Sequence, residues 1–163
     1  MKKNIERIIL LILLLGTFSV IFGFSSQDGE KSGSISKKIT EEIVKRIPQI
    51  QEKEQDEREL ITQRTEKVIR KLAHFSIYTV VGILLMALIS TYQIKERNKT
   101  IISIIIGIIY ACSDEIHQSF VPKRSPMITD VMIDTMGVML GILIILLGKT
   151  IIKKFQKKSK EMD

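Results

Sequence analysis

A chain of 163 residues that is 45% hydrophobic and 26% charged forms one soluble core only if both classes are spread along it. Here the apolar residues are bunched into long runs with the charges between them, which excludes a single soluble domain and indicates membrane spans joined by charged loops. The net charge of +7 comes without a nucleic-acid-binding motif, a P-loop, a GxGxxG or a zinc-type Cys/His spacing, so nucleic acid is excluded as a partner and anionic membrane lipids fit the basic excess.

The first apolar run, Ile8 to Phe24, is free of charge. At 1.5 Å per residue it is near the short limit for crossing roughly 30 Å of hydrocarbon. The alternative is a cleaved signal peptide with MKKNIER as its basic region. The run is long for that, however, and Gly23-Phe24-Ser25 is a poor substitute for an A-x-A cleavage site, so a retained span is expected. Residues 25–71 follow as an extramembrane segment. Ile35, Ile39, Ile43 and Ile47 recur every fourth residue and predict a short amphipathic helix stopped by Pro48. That helix suits either a solvated helical hairpin or a helix lying on the membrane surface. Residues 51–71 are rich in Glu, Gln, Lys and Arg, good helix formers able to run directly into the next span.

Three more spans are predicted, over residues 72–92, 101–120 and 127–148, each about 20 residues long. Cys112, the lone cysteine, reads as a small apolar helix residue. The expected fold is all-α, a four-transmembrane-helix bundle with an extracytoplasmic helical segment between the first two spans. Residues 1–148 form one membrane domain, and residues 149–163 form a basic cytoplasmic tail. Lys2, Lys3 and Arg7 precede the first span, and Lys149, Lys153, Lys154, Lys157, Lys158 and Lys160 follow the last. Lys/Arg numbers are nearly even on the two sides. The N-terminal bias and the tail therefore carry the expectation of N-in/C-in, multi-pass topology.

Charged groups inside spans are costly, roughly 2.5–3.5 kcal/mol each on insertion scales, so their presence needs a reason. His74 stands at the start of the second span. Asp114, Glu115 and His117 stand near the end of the third, and Asp130 and Asp134 at the start of the fourth. Adjacent spans alternate in direction, which brings all of them to one end of the bundle. Helical spacing gives each span one inward face: His74, Tyr78 and Gly82; then Ser103, Gly107, Tyr110, Asp114 and His117; then Asp130, Asp134, Gly137 and Gly141. Glu115 falls one position off. Imidazole beside carboxylate suits proton transfer, charged hydrogen bonding or divalent-metal ligation. Arg124, in the turn Val121 to Pro126, is placed to clamp an anion bidentately. The competing role is a buried polar network that fixes helix packing, with His74 and His117 paired to Asp114 and Asp130.

These residues also carry a resemblance. Arg70-Lys71-Leu72-Ala73-His74-Phe75-Ser76-Ile77-Tyr78 resembles the K-x-x-H-F-x-x-Y segment of the VanZ-like membrane protein family. The stretch from Ser113 to Ser125 is similar to its S-D-E-x-x-Q-x-F-x-x-x-R segment, and Asp130 to Gly137 to its D-x-x-x-N-x-x-G segment. Phe24-Ser25-Ser26-Gln27 fits its F-S-S-Q. Asp134 stands where Asn is common, which adds a charge, and Lys123 replaces the usual Gly before Arg124. The resemblance implies a bacterial cell-envelope protein acting at the outer face of the cytoplasmic membrane. The family's founding member is associated with resistance to the lipoglycopeptide teicoplanin, and the family name supplies no reaction.

The resulting expectation is a membrane protein that binds or modifies a lipid-linked envelope ligand or a glycopeptide. His74, Asp114 and His117 are its candidate acid–base groups. Arg70, Lys71, Tyr78, Glu115, Gln118, Arg124, Asp130 and Asp134 are its candidate ligand contacts. Neither Ser113 nor Ser119 has the surroundings of a nucleophile, so the residues do not decide whether the protein is an enzyme. A proton- or ion-coupled transporter and a non-catalytic accessory subunit are the alternatives, and no inverted repeat supports the former.

Overall fold

The computed structural model describes residues 2–26, 29–122 and 126–160, with side chains at 29–35 and 160 excepted. Six helices follow in order: α1 (Lys2–Ser25), α2 (Gly29–Lys45), α3 (Pro48–Gln51), α4 (Gln55–Ser90), α5 (Glu96–Gln118) and α6 (Ile128–Lys160). Of these, α1, α4, α5 and α6 are long and apolar enough to cross a membrane. Their outward positions, Ile12, Ile109 and Met136 among them, are exposed and apolar, as lipid contact requires.

The four spans alternate in direction. Arg7 near the start of α1 donates to the Thr91 hydroxyl and carbonyl beyond the end of α4, at 3.0 Å each. Lys149 of α6 reaches Ser90 Oγ at 2.6 Å and is bonded to Glu96 at the start of α5. At the other end, Ser25 closes α1 within hydrogen-bond distance of Gln118 at the end of α5. We call this second end the pocket end.

Helices in lipid gain nothing from hydrophobic exclusion, so they associate through close packing. The tightest seam joins α4 to α6. A Cβ added at Gly82 would stand 2.1 Å from the Val138 carbonyl oxygen, one at Gly141 2.1 Å from that of Thr79, and one at Gly137 2.5 Å from that of Phe75. Only glycine lets these backbones touch. Around the seam lie Tyr78, Val81, Leu85, Met86, Ala111, Val138 and Ile142, all buried. The seam also sets the pocket, because Phe75 follows His74 directly and Gly137 lies one turn after Asp134.

Two helices run beyond their spans. As the composition of 51–71 allowed, α4 starts at Gln55, so the charged stretch 55–71 and the apolar stretch form one helix of 36 residues. The last helix runs on through the lysine tail to Lys160, since lysine and glutamine favour helix as readily as they favour water. The extramembrane segment is a helical hairpin, with α2 laid along the outer part of α4 and Gln51 donating to the Val44 carbonyl at 2.9 Å. Its packed stripe is not the isoleucines. Ser36, Thr40 and Val44 are buried, whereas Ile39 and Ile43 stay exposed at 47% and 40%. The small side chains of Ser36 and Thr40 let α2 pack closely on α4.

Candidate functional site

The pocket end holds a cavity of about 470 Å³ between α4, α5 and α6. Lys67, Arg70, Lys71 and His74 form its α4 wall, one helical face at spacings of three, four and seven. Glu115 and Gln118 come from α5, and Met127, Asp130, Ile133 and Asp134 from α6. Cations line the outer part of the wall, and carboxylates stand opposite them and at the floor.

At the floor, Asp114 and Asp134 are 4% and 2% exposed. His74 Nδ1 stands 3.7 Å from Asp134 Oδ1. Gln118 Nε2 donates to Asp114 Oδ2 at 3.0 Å and lies 3.3 Å from Ser25 Oγ. Asp114 Oδ1, Asp134 Oδ1 and the Tyr78 hydroxyl are buried without a hydrogen-bond partner among the described residues. Tyr78 is fully buried and close enough to both carboxylates to feel their charge. One ligand-type atom from each of His74, Asp114 and Asp134 lies within 4.8 Å of the others. At the rim, Lys71 Nζ is 2.6 Å from Asp130 Oδ1. Glu115 is also buried, and its carboxylate accepts from the Met127 backbone N–H at 2.5 Å, fastening the entry of α6 to α5.

The structure thus gathers His74, Glu115, Gln118, Asp130 and Asp134 with Arg70 and Lys71 around one cavity, and sets Tyr78 and Asp114 behind its lining, Asp114 within 4.8 Å of His74 and Asp134. It does not bring His117 there. The inward face of α5 runs Ser103, Gly107, Ala111, Asp114, Gln118, all buried. Tyr110 and His117, expected on that face, turn toward α1. Tyr110 stacks on Phe18 with centroids 3.7 Å apart and donates to the Phe18 carbonyl at 2.8 Å. The His117 ring stacks on Phe22 at 4.3 Å, and its Nε2 is 3.0 Å from Ser26 Oγ. The expected pairing also changes: His74 faces Asp134, and Asp130 is held by Lys71. Lys123 and Arg124 lie outside the described residues.

Sequence reasoning missed Lys67, and it noted Ser25 and Ser26 only as part of the F-S-S-Q segment, without a contact for either. Lys67 was legible as the residue one turn before Lys71 on the face that carries His74. The two serines meet Gln118 and His117 in turn, so Phe24-Ser25-Ser26 clasps the end of α5 to the end of α1. A serine pair closing an apolar helix gives no periodic signal that would expose such a clasp.

Comparison with known proteins gives one positive result. No curated protein and no solved structure matches the chain. A family model, described as VanZ/LLP1, matches residues 8–151.

Proposed function

The chain belongs to the VanZ/LLP1 family of membrane proteins, and from that premise we propose that it binds the anionic headgroup of a lipid-linked envelope ligand at the outer face of the bacterial cytoplasmic membrane. The carrying observation is the cationic face Lys67, Arg70, Lys71 lining one side of a cavity at the end of the spans. That is headgroup depth, where guanidinium and ammonium groups attract phosphate or carboxylate. His74, Asp114 and Asp134 at the floor are the groups to hold or move a proton on such a ligand. Resistance to a teicoplanin-like lipoglycopeptide follows where the ligand bound is the antibiotic's target or the antibiotic itself. The apolar core beneath the floor, with Leu85, Met86, Val138 and Ile142 buried, supports a binding site open at one end over a conducting path.

The test uses the full chain in nanodiscs and a polyprenyl phosphate as probe. Saturable binding, weakened about tenfold or more by Lys67→Gln with Arg70→Gln, is expected from the loss of two charge-assisted contacts. Equal binding by the doubly substituted protein would remove the reading. Teicoplanin susceptibility of an expressing host, measured beside membrane abundance, links binding to phenotype.

A further inference from the structure

The geometry points to a divalent transition-metal site formed by His74, Asp114 and Asp134, with its open coordination position facing the cavity. The inference rests on the pocket proposed above as a ligand site, and it adds a cation between the floor and any anionic ligand.

Three observations carry it. Each side chain comes from a different span, α4, α5 and α6, and one donor atom of each lies within 4.8 Å of the other two. The glycine seam fixes two of these helices backbone to backbone one turn away, so the donors are preset by the fold. Second, the carboxylates of Asp114 and Asp134 are more than nine-tenths buried, and Oδ1 of each accepts no hydrogen bond among the described residues, His74 Nδ1 standing 3.7 Å from that of Asp134. Buried carboxylate oxygens that accept no hydrogen bond are expensive, and two together more so. Third, Lys71 of the cavity wall is paired with Asp130 at the rim, and neither Asp114 nor Asp134 forms an ion pair with a lysine or arginine among the described residues. Facing the two acids stand His74, Gln118, Tyr78 and Glu115. Of these only the imidazole can carry positive charge.

A divalent cation resolves this arrangement by supplying both charge and ligation. One nitrogen and two carboxylate oxygens form a borderline donor set suited to Zn²⁺ or Mn²⁺. Ca²⁺ prefers six to eight oxygens, and Cu⁺ prefers sulfur. Bonds of about 2.0–2.2 Å place ligand atoms roughly 3.4 Å apart in a tetrahedral centre, so closure needs side-chain shifts on the order of an ångström. Gln118, which donates to Asp114 Oδ2, orients that ligand from behind and leaves Oδ1 for the ion. The fourth position opens toward Arg70 and Lys71, where a phosphate oxygen completes the sphere. The rival way to relieve the two acids is a proton shared between them, which requires no metal.

The experiment uses the full chain purified in detergent without a polyhistidine tag, stripped with EDTA and dialysed against Zn²⁺ or Mn²⁺ separately. Metal per chain is measured by elemental analysis and the unfolding temperature by circular dichroism. Retention of about one ion per chain and a raised unfolding temperature with at least one of the two metals are expected. Asp134→Asn, Asp114→Asn and His74→Gln should each bind about tenfold or more weakly while keeping helical content. Substoichiometric metal with no thermal shift for both ions overturns the site and favours the shared proton. Equal binding by wild type and all three variants overturns it as well. Should the variants fail to accumulate, the wild-type stoichiometry and thermal shift decide alone. Lipid-phosphate binding by the stripped protein is scored separately, so a failed metal site leaves the headgroup reading standing, and the reverse.

Discussion

Lys71 Nζ and Asp130 Oδ1 stand 2.6 Å apart at the rim of the cavity, each side chain about one-third exposed. The pair divides the cationic wall in two. Lys67 and Arg70 make no ion pair among the described residues, while Lys71 is held by its acid. An ion pair at the rim, open to solvent, contributes about 0–1 kcal/mol, so removing it hardly alters stability. Asp130→Asn is therefore expected to leave the unfolding temperature nearly unchanged and to tighten binding of a polyprenyl phosphate, because it releases a cation. Lys71→Gln should weaken that binding. Unchanged affinity for both variants, in titrations on nanodiscs, argues that the rim is outside the ligand's reach.

The glycine seam makes a sharper prediction about stability. Gly82→Ala and Gly141→Ala each place a methyl group against a carbonyl oxygen. They should cost about 1–3 kcal/mol through forced separation of α4 and α6. Gly148→Ala and Gly16→Ala meet open space and are the controls. The measurement is thermal unfolding in detergent, and equal melting of all four variants would contradict the seam.

His117 and Asp114 should separate cleanly although one helical turn divides them. Asp114→Asn is expected to abolish the protective phenotype at normal membrane abundance, since it removes a charge from the pocket floor while keeping volume. His117→Ala breaks the contact with Ser26 and Phe22, so it should loosen α1. The loss is about 1 kcal/mol, that of one hydrogen bond and a ring contact. Protease sensitivity near the N-terminus should rise while affinity for the phosphate probe holds. Phenotype that falls only in step with abundance, for Asp114→Asn, would favour a packing network over a working site.

Topology is open to direct labelling. In a Cys112→Ser background, a cysteine at exposed position 38 should react with an impermeant maleimide on intact cells. One at position 154 should react only after permeabilisation. The opposite pattern reverses the orientation and places the pocket at the inner face.

Much of the architecture was legible because lipid enforces it. Long uncharged runs have no other use, and alternating spans carry His74, Asp114 and Asp134 to one end whatever the details. Spacing also found the glycine faces at Gly82, Gly137 and Gly141. It could not choose between neighbouring faces of α5. Residues 110, 114 and 117 and residues 107, 111, 114 and 118 share Asp114 and differ by a fraction of a turn. The choice depends on where α1 docks, and Phe18 and Phe22 settle that through stacking that no periodicity encodes. The isoleucine stripe of α2 gave the helix but not its docking face: Ser36, Thr40 and Val44 are buried, and Ile39 and Ile43 stay exposed.

The unbroken run of α4 has a mechanical meaning. Thirty-six helical residues extend about 54 Å, well beyond the hydrocarbon thickness, so the hairpin arm and the membrane span are one shaft. Lys67, Arg70, Lys71 and His74 sit near its middle, where the arm gives way to the span. Lys67 of the arm and His74 of the span thus stand on one unbroken helix, with no hinge between the cationic wall and the helix that the glycine seam fixes against α6.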